Sequence, residues 1–469
     1  MRTQMITTLV ALPSITFPVK ELRKITAIQH YEERMLCWLL ELGNPDVTLV
    51  YVTSTSVDPA IIDYYLGFLD DPAGARRRLH LLSLDDPTPR PLSVKLLERP
   101  GVLANIRSLL TEASRACVWP FNVTAFEAEV ARMIEAPLFG PNPGLIPLGS
   151  KSGSRRIARE AGVPVLPGSE DLASGQEVEK ALLRLKDTLP GGASAVIKLN
   201  NGFSGQGNAI VDLDTLSVPL SNARMTFCAR EESWANFEKT IDSEGAVVEE
   251  LLRSPGVLSP SVQLKITSEH RLEVLSTHDQ ILGGLEDQVY LGCRFPARRP
   301  HRSVIQDHAS RIGEILAKRG VIGPFGVDFI LAPSGAQPRV YISEINLRMG
   351  GTSHPFYMAA TLTEGRYDVD SGELIAGGRA KSYVATDNLK SRNLIGLSAS
   401  DAIDALERAG LGYSHTNHTG ALLHLLGALE GYGKVGATCI GDSMEEADAL
   451  YADVVRTLED AAGRSRVFR

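Results

Sequence analysis

The chain has 469 residues, 43% of them hydrophobic and 22% charged, and its 48 basic and 56 acidic side chains leave a net charge of −8. Such a composition describes a globular chain of about three domains with room for large cores, and excludes a general nucleic-acid binder, which needs a basic field on the domain scale. No stretch approaches the roughly 18 apolar residues of a membrane span. The five cysteines (Cys37, Cys117, Cys228, Cys293, Cys439) form no CxxC or Cys/His cluster, so they read as free thiols of a cytoplasmic protein rather than zinc ligands or disulfides.

In chain order, Ile6–Leu12, Val47–Val52, Arg78–Leu84 and Ala116–Phe121 are short apolar runs. They alternate with helical patterns around Met35–Leu42, Ala60–Leu69, Ser93–Leu110 and Phe126–Ile134, an alternation that predicts a parallel α/β unit. The unit has neither a GxGxxG nor a Walker A pattern. A Pro/Gly-rich connector over residues 137–149 marks a boundary. Beyond it, a helix is expected over Ser152–Gly162, two strands flank a glycine-rich turn in 194–214, and Val247–Leu252 is a strand. Residues 262–295 read as further strands, Ile305–Arg319 as a helix and 325–346 as a hairpin. Helices at Ala399–Ala409 and Met444–Asp460, on either side of Gly420–Ile440, suggest a small α/β appendage.

The turn Asn200-Asn-Gly-Phe-Ser-Gly-Gln-Gly207 follows the strand Ala195-Val-Ile-Lys198. A buried lysine calls for an anion, and Gly202, Gly205 and Gly207 allow close backbone approach, with Ser204 among them. A plain β-turn with a snorkelling lysine is the competing reading. In the hairpin, Glu344 and Asn346 are two apart on one strand and share a face. If the turn is centred on Ala336, Asp328 lies opposite Glu344. Two carboxylates and a carboxamide form an oxygen-only set suited to Mg²⁺, the alternative being a polar outer face on which Ile330 and Ile342 would also lie. Lys151 opens a helix, where free backbone amides suit a phosphate.

The order of Lys151, Lys198 with its glycine loop, Glu249-Glu250-Leu-Leu252, Asp328, Glu344, Asn346 and Arg348 resembles the ATP-grasp superfamily. Phe139-Gly-Pro-Asn-Pro and Gly420-Ala-Leu-Leu-His-Leu-Leu-Gly427 are similar to peptide ligases of the pheganomycin type, which carry a pre-ATP-grasp domain. The resemblance implies an α/β and α+β chain with a parallel-type pre-ATP-grasp domain over residues 1–139 and an ATP-grasp domain over 140–385. The latter would comprise nucleotide-binding subdomains of about 140–250 and 251–385, and a small α/β domain would occupy 386–469. It further implies that Lys151 and Lys198 bind ATP, that Gly202–Gly207 covers the phosphates, and that Glu249, Glu250 and Leu252 form the adenine hinge. Asp328, Glu344 and Asn346 would hold Mg²⁺, and Arg348 would clamp a phosphate or acyl phosphate. An acidic ribose contact common in the family is replaced by Ser254-Pro-Gly256.

The expected reaction is ATP-dependent joining of an amino-acid-type carboxylate to the amine of a peptide through an acyl phosphate. Small-molecule acid and peptide amine substrates are the expected partners, a homodimer is compatible, and neither nucleic acid nor membrane is expected. Other ATP-grasp amide synthesis and a non-catalytic ATP-binding regulator are the alternatives. Arg294, between Cys293 and Phe295, is the further catalytic candidate. Ser353 and His354 are read as lining the acyl or amine site, and His278 with Asp279 as a base for the amine or else a surface turn. The run Arg298-Arg-Pro-His-Arg302 reads as an anion-orienting loop or a solvated charge run.

Overall fold

The structure, a computed structural model, describes residues 6–110, 115–202, 207–229, 232–253, 255–283, 289–333 and 338–467. Strands β1 (Thr8–Leu12), β2 (Thr48–Thr53), β3 (Leu79–Ser83) and β4 (Ala116–Pro120) form an all-parallel sheet in the order β3-β2-β1-β4. Alternate residues feed two different cores: Leu9, Ala11, Leu49 and Tyr51 face one side, and Val10, Leu12, Val50 and Val52 the other. Apolar residues on both faces are what a parallel sheet covered by helices requires. The helix expected over Ser93–Leu110 is broken in two, Leu92–Leu97 and Pro100–Leu109, because Pro100 cannot continue a helix but suits the first turn of a new one.

The second sheet is antiparallel: β5 (Gly168–Leu172), β6 (Ser194–Leu199), β7 (Asn208–Asp212), β8 (Met225–Phe227) and β9 (Ala246–Leu251), ordered β5-β9-β6-β7-β8. Helices Gly175–Thr188 and Trp234–Glu244 bury Val178, Leu182, Phe237 and Ile241 against Ile197, Val211 and Val248 on one face. The opposite face carries Val196 and Lys198.

The third sheet comprises β10 (Pro260–Ile266), β11 (Leu272–Gly283), β12 (Val289–Phe295), β13 (Gly323–Ala332), β14 (Arg339–Asn346), β15 (Arg366–Asp368), β16 (Glu373–Ala376) and β17 (Arg379–Lys390). Strands β18 (Gly420–His424) and β19 (Lys434–Gly441) join it through β17. The C-terminal segment is therefore no separate appendage. Strand β17 runs through the boundary expected at 385/386, β19 pairs along it, and Leu422, Leu423 and Ile440 share one core with Leu36 and Leu39 of the N-terminal unit.

The β13–β14 hairpin pairs Asp328 with Glu344, the register implied by a turn centred on Ala336, a position that itself lies outside the described residues. A bulge follows: Phe329 pairs with Ile342, so Ser343 and Glu344 both lie on the polar side. The extra residue turns Ile342 into the core, only 2% exposed, rather than onto the carboxylate face as strict alternation predicts.

Candidate active site

The second and third sheets and the N-terminal unit enclose a cavity of about 1120 Å³. Lys151, Lys198, Gly202, Glu249, Glu250, Leu252, Asp328, Glu344, Asn346 and Arg348 all line it. Lys198 and Val196 of β6 pair with Val247 and Glu249 of β9, which places the lysine and Glu249 on the same face of the sheet. Lys198 Nζ lies 2.5 Å from Glu249 Oε1, and Arg155 Nη1 donates to Oε2 at 3.0 Å. Arg155 also donates to Glu170 at 3.0 Å and to the Leu166 carbonyl at 2.9 Å. Glu249, 2% exposed, thus serves as a buried counter-ion. Half-buried Glu250, its pKa raised by desolvation, stands at the cavity edge with Leu251 and Leu252.

Ser150 caps the helix Lys151–Glu160 through the Gly153 amide. The amides of Lys151 and Ser152 donate to the carbonyl and side-chain oxygens of Asn200. The helix start therefore has no amides in reserve for a phosphate, as position alone had suggested, and Lys151 contributes through its side chain. Its ammonium contacts Glu344. Burial, with Lys198 and Arg348 nearby, lowers the Lys151 pKa to about 7. Three cations therefore converge on this end of the cavity.

Beside them, Gln280 Nε2 donates to Asp328 Oδ1 at 2.9 Å. The Asn346 amide bridges Asp328 Oδ2 at 2.9 Å and Glu344 Oε1 at 3.1 Å. Arg348 Nη2 donates to Asn346 Oδ1 at 2.9 Å, and its guanidinium faces the Phe17 ring at 5.8 Å. Burial raises the Asp328 pKa to about 6, against the pull of Arg348 and Lys151. The carboxylates of desolvated Asp328 and partly exposed Glu344, held together by the Asn346 amide, offer oxygen ligands that fit a hard divalent cation.

The glycine turn begins and ends at a close approach. A Cβ on Gly202 would lie 3.0 Å from the Gly207 Cα, and one on Gly207 2.9 Å from the Gly202 Cα, so no side chain fits at either end. Ser204 and Gly205 lie outside the described residues, as does Ser254 of the hinge.

Several expected residues are engaged elsewhere. Arg294 does not line the cavity; it pairs with Asp448 of the helix Met444–Val467 at 2.9 Å, while its neighbours Cys293 and Phe295 fill a core. Ser353 accepts from the Gly350 amide at 2.9 Å and closes a turn. His354 is fully buried beneath the cavity against Asp387 and His424. His278 and Asp279 belong to β11, not to a surface turn. Asp279 is held by His301 at 2.7 Å and Arg298 at 3.0 Å. Arg299 pairs with Glu373, and Arg302 donates to the Ala297 and Ser371 carbonyls, so the basic run is fixed by structural contacts.

His278 does not line the cavity; it is hydrogen-bonded to the Tyr383 hydroxyl at 2.7 Å, and burial lowers its pKa to about 3. Below its ordinary value near 6.5 the unfolded chain binds the proton and the folded one does not, so stability falls with pH until about pH 3. The wild type should lose about 2 kcal/mol more than His278→Asn between pH 7 and pH 5. Denaturant melts at both pH values measure this, and equal losses would remove His278 as the cause.

Sequence reasoning missed a second polar group on the cavity wall. Arg34, Tyr31 and Phe121 come from the N-terminal unit, and Asp387, Lys390 and Lys434 from β17 and β19. None sits in a short motif; only the topology brings them together.

Comparison with known proteins bears on the family and the fold. A family model described as IQCH-like, ATP-grasp matches residues 220–370, and one for the PGM1 C-terminal domain matches residues 401–454. The L-propargylglycine–L-glutamate ligase of Streptantibioticus cattleyicolor is 34% identical over 453 residues, which are 94% of this chain and 92% of that protein. Among solved structures, biotin carboxylase of Campylobacter jejuni in a βγ-ATP complex has a TM-score of 0.59 at 13% identity, with 98% of this chain and 95% of that one covered. An N5-carboxyaminoimidazole ribonucleotide synthetase bound to ADP has a TM-score of 0.54 at 12% identity over 98% of this chain and 100% of that one. These two likenesses concern the fold; the first relative, spanning nearly both chains, fixes the family. The chain belongs to the ATP-grasp ligases, enzymes that use ATP to join a carboxylate to an amine.

Proposed function

We propose that this ligase joins the carboxylate of an amino acid to the amine of an amino acid or peptide in natural-product biosynthesis. Its relative is named for coupling L-propargylglycine to L-glutamate, and those two amino acids are the first substrates to try. One observation carries the reading: Lys151, Lys198 and Arg348 line one cavity with the Asp328/Glu344/Asn346 oxygen set, Lys151 in contact with Glu344 and Arg348 with Asn346. On this reading Lys151 and Lys198 hold ATP phosphates, while Glu250–Leu252 lies along the adenine edge. Asp328, Glu344 and Asn346 would hold Mg²⁺, which supplies charge neutralisation to phosphate oxygens. Arg348 orients the substrate carboxylate for attack on the γ-phosphorus. The P–O bond to ADP breaks as the acyl phosphate forms; the amine then attacks the acyl carbon, phosphate departs, and the amine proton is released. Cavity walls from the N-terminal unit and β17 keep water from the acyl phosphate. Five free cysteines suit the cytoplasm, and no helix among the described residues is long and apolar enough to cross a membrane.

The test supplies full-length protein with Mg·ATP, hydroxylamine and pooled L-amino acids. Equal amounts of ADP and amino-acid hydroxamate are expected, and mass spectrometry names the acid. Tight ATP binding without ADP release over the whole panel would favour the non-catalytic regulator.

A further inference from the structure

The cavity has a second charged pole, away from the hairpin. Arg34 Nη1 donates to Asp387 Oδ2 at 3.1 Å. The Tyr31 and Phe121 rings lie 4.8 and 4.9 Å from the guanidinium carbon, which confines its hydrogen bonding to the guanidinium edge. Lys434 Nζ donates to the Tyr31 hydroxyl at 2.6 Å. Both residues are more than nine-tenths buried, and among the described residues Arg34 Nε has no hydrogen-bond partner.

Asp387 also meets His354 Nε2 and His424 Nδ1, each at 3.1 Å, and the two imidazole nitrogens are 3.3 Å apart. That spacing alone would suit a small cation. The charges decide otherwise. Arg34 and Lys434, with Lys390 near the same wall, outnumber the single carboxylate, whose Oδ2 already accepts from Arg34. A metal would add charge to a buried site that is already positive. The group this pole lacks is an anion.

The Phe121 carbonyl accepts from the Met349 amide at 3.0 Å, which joins the segment carrying Phe121 to the one carrying Arg348. Arg34 and Arg348 line the same cavity. We infer that Arg34 and Lys434 bind a free carboxylate of an amino-acid substrate, one other than the carboxylate activated for ligation. Asp387, held by His354 and His424, positions Arg34 for that contact. The inference rests on the ligase reading for its substrate class, though not for the existence of the anion site.

The test titrates full-length protein, saturated with Mg²⁺ and a non-hydrolysable ATP analogue, with L-amino acids and their α-amides by calorimetry. The wild type should bind at least one acid about tenfold or more tightly than its amide. Arg34→Gln should remove that preference and leave analogue affinity within about twofold; Lys434→Gln should weaken it, and Arg34→Lys should partly restore it. No acid–amide preference in the wild type, a preference retained in Arg34→Gln, or equal loss for both ligands overturns the inference. With hydroxylamine as the amine, a raised KM for the acid in Arg34→Gln assigns the carboxylate to the acyl donor. A rise confined to the KM of the amine in amide synthesis assigns it to the acceptor. Acid–amide preference without turnover on any panel would sink the ligase reading and leave the anion site standing. Turnover without preference would do the reverse.

Discussion

Glu344→Gln is expected to lower turnover by about a thousandfold or more while the protein stays folded. The substitution keeps the shape and the oxygen that accepts from Asn346 at 3.1 Å, so the packing of β14 is preserved. What it removes is charge. Glu344 is the carboxylate in contact with Lys151, and with Asp328 it completes the pair bridged by Asn346. Without it, Asp328 alone balances Lys151 and Arg348, and a divalent cation loses one of two anionic ligands. Charge stabilisation of this kind acts chiefly on the transition state, where loss of a single group commonly costs a hundredfold to a thousandfold. Loss of a metal ligand adds to that. ADP release measured with Mg·ATP should collapse, while the thermal midpoint stays within a few degrees of the wild type. Full activity in Glu344→Gln would place the metal elsewhere.

The parts of this site legible in the sequence share one property: their geometry is set by local periodicity. Glu344 and Asn346 share a strand face because they are two apart, and Asp328 joins them because a short hairpin fixes its own register. Even there the bulge at Ser343–Glu344 escaped, since an extra residue leaves no mark in the alternation of β14 except the pair itself. Arg294 misled for a related reason. An arginine between two apolar neighbours on a strand must leave the core, but whether it leaves toward a cavity or toward Asp448 depends on a helix 154 residues away. His278 and Asp279, read as a base for the amine or else a surface turn, lie on β11. In the structure each finds its partner, Tyr383 or His301, on another element. The pole formed by Arg34, Asp387 and Lys434 was illegible altogether, because its members come from the N-terminal unit, β17 and β19 and meet only through the shared core.

Lys198→Ala is expected to weaken ATP binding by about ten- to a hundredfold, the range of one charge-assisted phosphate contact. The more telling result comes from its partner. Removing the lysine leaves the Glu249 carboxylate 2% exposed, still held by Arg155 at 3.0 Å and facing the cavity that the phosphates must enter. Part of the loss is then repulsion from Glu249 rather than the missing lysine contact. The double variant Lys198→Ala/Glu249→Gln should therefore bind ATP more tightly than Lys198→Ala alone. Glu249→Gln by itself frees Lys198 from its 2.5 Å ion pair and leaves Arg155 with Glu170 and the Leu166 carbonyl. Its ATP affinity should match or exceed that of the wild type, at a cost in stability, since a buried charge network has lost one member. The cycle of four proteins, titrated with ATP by calorimetry, gives the coupling between the two side chains directly. Additive effects would mean that Glu249 does not face the phosphates, and unchanged affinity in Lys198→Ala would remove the lysine from the nucleotide site.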